Sequence, residues 1–157
     1  LRRSSAASDV YKRQELHPAF WSALFGWLLA QLIKMITCLV KSGRLDFSYL
    51  VSTGGMPSAH TSMSCALATS IGLLSGFNSV EFTISIVFAS VVMFDAQSVR
   101  KAAGEQAKLL NQIIDELLNN HIFSERKLKE LLGHTRLEVL GGVISGIVAA
   151  NLVLLFF

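Results

Sequence analysis

Charge is missing from long parts of this chain. Asp, Glu, Lys and Arg are absent from 16–33, 61–80 and 139–157, runs of 18, 20 and 19 residues. Charged residues make up 16% of the chain, against about 25% in an ordinary soluble domain. Such runs exclude a conventional water-facing surface over those segments. At 1.5 Å per residue, about 20 apolar residues cross the roughly 30 Å hydrocarbon core of a bilayer, so all three are long enough to span. A fourth run, 82–94, has only 13 residues between Glu81 and Asp95. It spans if those carboxylates sit at the interfaces or face protein. A soluble bundle of unusually apolar helices is the competing reading.

Cysteine is equally scarce. Cys38 and Cys65 are the only two, both within apolar runs, which excludes a disulfide framework and a cysteine-type metal site. They read as small buried hydrophobes. Internal repeats and low-complexity tracts are also absent, and 157 residues leave room for a single domain.

The formal charge of +3 points to no nucleic-acid partner. Residues 1–14 contain Arg2, Arg3, Lys12 and Arg13 against Asp9, so they account for the whole excess. This leader has no apolar periodicity, is too polar for a signal peptide and reads as non-native or disordered sequence. The remaining 15–157 forms one helical membrane domain in this reading.

Spans are expected at 19–40, 59–76, 79–97 and 137–157, with a tight turn near 75–79. The fold class is therefore all-α: an integral membrane bundle of about four transmembrane helices. Within 99–120, Ala103, Ala107, Leu110, Ile114 and Leu117 recur four and three apart, the mark of an amphipathic helix. It is a candidate homo-oligomer seam or membrane-surface contact, though such a stripe usually packs on its own protein. Four spans put 41–58 and 98–136 on one side. Those links carry Lys41, Arg44, Arg100, Lys101, Lys108, Arg126, Lys127, Lys129 and Arg136. By the positive-inside tendency that side is cytoplasmic, most simply in a bacterial cytoplasmic membrane with lipids as neighbours.

Two histidine motifs, "GGMPSAH" (54–60) and "GHTRLE" (133–138), lie on this side, each just before an apolar run. In the first, glycines allow close backbone approach to a ligand and Pro57 stiffens the helix entry. Ser58 either caps the helix or binds an oxyanion, beside free amides and a helix dipole that favour phosphate. An ordinary helix start with an interfacial histidine fits the spacing equally well. In the second, His134 and Glu138 are four apart; if both are helical they share a face, and the carboxylate can hold the far imidazole nitrogen and fix its tautomer. Thr135-x-x-Glu138 is also a capping box. Lys34 lies inside the first span, where an ionisable group faces a polar cavity or snorkels to the interface. Asp95 and Arg100 stand at the exit of the third.

Three blocks, "GGMPSAH", "VVMFDAQSVRKAAGEQAKLLN" (91–111) and "KLKELLGHTRLEVLGG" (127–142), resemble the divergent branch of the type 2 phosphatidic acid phosphatase superfamily, also labelled acid phosphatase/vanadium-dependent haloperoxidase-related. The resemblance covers roughly 16–150. It implies an α-helical phosphatase without metal or other cofactor, whose site takes phosphate or vanadate. The implied activity is hydrolysis of a phosphate ester or diphosphate, with lipid-linked substrates included. By resemblance, His134 is the nucleophile that forms a phosphohistidine, Glu138 its supporting carboxylate and His60 the general acid. Lys34, Ser58 and the Ala59 amide bind phosphate. The sequence departs from the family pattern where an arginine belongs six residues before His134: Leu128 stands there. Arg44 and Arg100 are the candidate replacements. A non-catalytic protein of the same fold, binding phosphate-bearing lipid or protein partners, is the alternative.

Overall fold

The computed structural model describes residues 16–43, 55–118 and 134–157. Among them every regular element is helical. Helix α1 spans Pro18–Ser42, α2 Ala59–Ser75, α3 Val80–Phe94, α4 Arg100–Leu118 and α5 Arg136–Leu154. A π-helical turn, Asp95–Val99, joins α3 to α4.

Local chemistry sets the helix ends. His17 caps α1, accepting the Ala19 amide on its side chain, and Pro18 takes the first position, where a missing N–H costs nothing. Gly43 ends α1 with φ 64° and returns its N–H to the Leu39 carbonyl at 2.8 Å, the usual left-handed stop. Between α2 and α3 the turn is as tight as expected. Gly76 has φ 92°, and Ser79 closes on the Gly76 carbonyl at 3.1 Å while capping the Phe82 amide at 3.1 Å.

Helix α2 is the centre of the bundle, packing on α1, α3 and α5, while α1 also packs on α5. Small residues make the contacts. A Cβ on Gly26 would stand 2.8 Å from the Ala66 Cβ, and one on Gly146 2.5 Å from the Ser62 carbonyl oxygen. Serines join the same seams: Ser62 Oγ donates to the Gly26 carbonyl at 2.7 Å, and Ser145 Oγ to Ser62 Oγ at 3.0 Å. Close backbone approach with interhelical hydroxyl bonds is how helices associate where lipid removes the hydrophobic drive. The large apolar side chains point outward: Ile84, Val87, Val91 and Phe94 on α3 are all exposed. An inside-out distribution of this kind suits a lipid solvent and not water.

Three helical stretches are long and apolar enough to cross a membrane: Pro18–Val40, Val80–Ile114 and Arg136–Leu154. Helix α2, with 17 residues, is about 26 Å long. The second stretch, Val80–Ile114, departs from the expected span at 79–97 followed by a separate helix at 99–120. The helix never breaks; the polar residues Asp95, Gln97 and Ser98 widen one turn instead of ending it. On α4, Leu110 of the expected apolar stripe is exposed while Ala107 and Ile114 are half-buried.

Candidate functional site

The site is built where the N-termini of α2 and α5 meet the inner face of α1. At α5, Thr135 is the N-cap. Its Oγ1 accepts the Glu138 amide at 3.3 Å, and Glu138 Oε2 accepts the Thr135 amide at 2.8 Å. This reciprocal capping box satisfies two donors that a helix start leaves open. The same Oε2 lies 3.1 Å from His134 Nδ1, so the box and the imidazole contact coexist. A carboxylate only accepts, so this contact suits a proton on Nδ1 and leaves Nε2 facing away from Glu138. His134 is 5% exposed. Its Nε2 is buried and has no hydrogen-bond partner among the described residues.

At α2, Gly55 turns the chain with φ 88°. Ser58 is fully buried. Its amide donates to the Glu138 carbonyl at 2.9 Å, which ties the two helix starts together. Ser58 Oγ accepts from the Thr61 amide at 3.5 Å and from Thr61 Oγ1 at 3.1 Å, so the cap is made. A Cβ at Gly142 would stand 2.7 Å from the Ser58 carbonyl oxygen; only glycine lets α5 come this close. Ala59 is buried and His60 half-buried on the first turn of α2.

From α1, Lys34 reaches the same place. It is 3% exposed, its Cδ lies 4.0 Å from where a Gly55 Cβ would be, and the Glu138 carboxylate acts on its charge. Lys34, Ser58, Glu138 and His134 therefore gather at one end of the bundle, with Ala59 and His60 on the adjoining turn. Arg44 lies outside the described residues, as do Leu128 and the side chain of Arg100.

One contributor escapes a reading by motif, the backbone of Ala96, whose carbonyl accepts the His134 amide at 3.0 Å from within the π-turn. No side-chain pattern announces a carbonyl. Gln31, 3% exposed, lies one turn before Lys34 on α1. Beyond the site, an apolar cleft of about 200 Å³ runs between α3 and α5 over the floor of α2, lined by Cys65, Ile86, Met93 and Val143 among others. Met93 lies three residues before Ala96, and Val143 five after Glu138.

With this geometry in hand, the sequence comparisons are specific. The profile of the divergent PAP2 family matches residues 16–149. The chain belongs to the divergent PAP2 family. A relative, the uncharacterized membrane protein YuiD of Bacillus subtilis (strain 168), is 38% identical over 149 residues, covering 87% of this chain and 93% of the relative. No solved structure matches. This divergent PAP2 protein is accordingly a membrane protein, and its outward-facing apolar helices agree with the description of its relative.

Proposed function

We propose that the chain is a metal-independent membrane phosphatase that hydrolyses a phosphate ester or diphosphate through a phosphohistidine. One observation carries the reading: a buried imidazole whose Nδ1 is tied to Glu138 and whose Nε2 finds no partner among the described residues. An oriented neutral imidazole is a nucleophile. A merely structural buried histidine would have both nitrogens satisfied.

In this mechanism His134 Nε2 attacks phosphorus in line with the leaving oxygen. The P–O bond breaks as the N–P bond forms, and His60 gives its proton to the leaving oxygen. Water then attacks the phosphohistidine, losing a proton to His60, and inorganic phosphate leaves. Lys34, the Ser58 hydroxyl and the Ala59 amide hold the equatorial oxygens, where preorganised donors stabilise the developing charge. Glu138 keeps the imidazole oriented and balances the positive charge it acquires. Arg44 and Arg100 remain the candidates for the guanidinium that relatives place before the nucleophile. The basic links favour the cytoplasmic face for the reaction.

Leu128, in the position of that arginine, favours a second reading: a non-catalytic protein of this fold that binds phosphate-bearing lipid. Guanidinium and alkyl side chains are not interchangeable at a phosphate. The assay that separates the two is phosphate release from lipid phosphates by the purified protein in detergent. His134→Ala is expected to lower release by about 1000-fold or more, as loss of a nucleophile does. Equal release by both proteins removes His134 as nucleophile. Absence of release from the parent, with lipid phosphate still bound, supports the second reading.

A further inference from the structure

We infer that the π-turn Asp95–Val99 is a positioning element for His134, acting through the Ala96 carbonyl; its kinetic consequence rests on His134 being the nucleophile. His134 immediately precedes the N-cap of α5, so its amide lies outside the ladder of that helix. The capping box and the Glu138 contact fix the imidazole relative to α5 alone. Anchorage to another part of the bundle comes from the backbone bond of the His134 amide to the Ala96 carbonyl, 3.0 Å long and 38 positions back in sequence. Ala96 is 2% exposed, so water does not compete for the bond.

The π geometry is what makes that carbonyl available. In a regular α-helix each interior carbonyl points along the axis at the amide four residues on. A widened turn breaks this registry for one residue, and such turns recur at functional sites. The buried positions of the continuous helix record the extra residue. Ala89, Ala96, Gly104 and Asn111 are buried, and their spacings are 7, 8 and 7. Two regular turns take about 7 residues, so the middle interval contains one residue too many, and the π-turn absorbs it. Both flanking helices keep their inner faces in line. The insertion is therefore neutral for packing, yet it opens the ladder beside His134.

This arithmetic defines the test. Deleting Gln97 returns the buried spacing to 7, 7 and 7, so the helix can become regular without turning either face away. The folded variant keeps Lys34, Ser58 and His60 but loses the hook on His134. Two measurements apply: amide exchange of His134 by NMR in detergent, and kcat and KM for phosphate release. The parent is expected to protect the His134 amide, and the deletion to speed its exchange by about 10-fold or more. The deletion is expected to lower kcat by about 100-fold, the cost of a misplacement near 1 Å, with KM within about threefold because phosphate binding persists. An unprotected His134 amide in the parent overturns the inference even if the deletion variant does not fold. Unchanged kcat in the folded variant overturns it too. If the parent releases no phosphate, the phosphatase reading fails, while amide exchange still decides whether the turn holds His134.

Discussion

Glu138 uses one carboxylate oxygen for two purposes, and a single substitution separates them. Oε2 receives both the Thr135 amide and His134 Nδ1. Glutamine also serves at the third position of a capping box, so Glu138→Gln keeps a neutral acceptor for the helix start. It loses the negative charge that balances a phosphorylated imidazole. The expected outcome is a fall in kcat of about 10²–10⁴-fold, the usual range for a group assisting proton or charge movement. Unfolding in detergent should shift by less than about 1 kcal/mol, the size of a capping effect. Equal losses of stability and activity would make Glu138 a helix cap and nothing more. The spacing of four suggested a shared helical face, but His134 lies one residue before the N-cap of α5, so the two meet without both being helical. Their joint use of one oxygen depends on the chain entering α5 with His134 folded back, which spacing does not encode.

Helices α2 and α5 meet so closely that their seam limits what evolution or mutagenesis can place there. A Cβ at Gly146 would stand 2.5 Å from the Ser62 carbonyl oxygen and 2.9 Å from the Cys65 Cβ. These neighbours are backbone and a first side-chain carbon, so neither can swing aside. Gly146→Leu is expected to destabilise by at least about 1–3 kcal/mol, the range for overpacking a core. It should also lower phosphate release by parting the helix starts that carry Ser58 and Glu138. Thermal unfolding in detergent measures the first effect; unchanged stability would mean the helices do not approach as described. At this scale the apolar runs made helices α1, α2 and α5 legible, along with the turn at Gly76. The junction at Asp95–Val99 was not legible. Polar residues after an apolar run read equally well as a helix exit, and only the unbroken backbone from Val80 through the π-turn into α4 reveals that the helix continues.

For the whole molecule, the question is which face of the membrane carries the site. The proposed orientation puts the α2–α3 turn and the end of α1 on opposite faces. Cysteine introduced at Asn78 should therefore react with an impermeant maleimide in intact bacterial cells expressing the protein. Cysteine at Gly43 should react only after permeabilisation. Both positions are exposed, and Cys38 and Cys65 are replaced beforehand to remove their signal. The reverse pattern would place the histidines on the outer face and rule out substrates confined to the cytoplasmic leaflet. The basic links predict a preferred side, because lysine and arginine resist translocation. The gathering of the site residues was readable only as a shared end of the bundle.

The sequence by itself determined that this is a helical membrane protein of the divergent PAP2 family, with a histidine and a glutamate four residues apart before an apolar run. Those properties are local: transfer of side chains into lipid, the period of a helix, and capping within four residues. Tertiary structure decided that Ser58 donates to the Glu138 carbonyl, that Lys34 lies within reach of the Glu138 charge, and that Ala96 holds the His134 amide. Each of these joins residues far apart in the chain through backbone atoms or close helix approach. Side-chain identity leaves such bonds unspecified until glycine, alanine and serine allow the helices to meet.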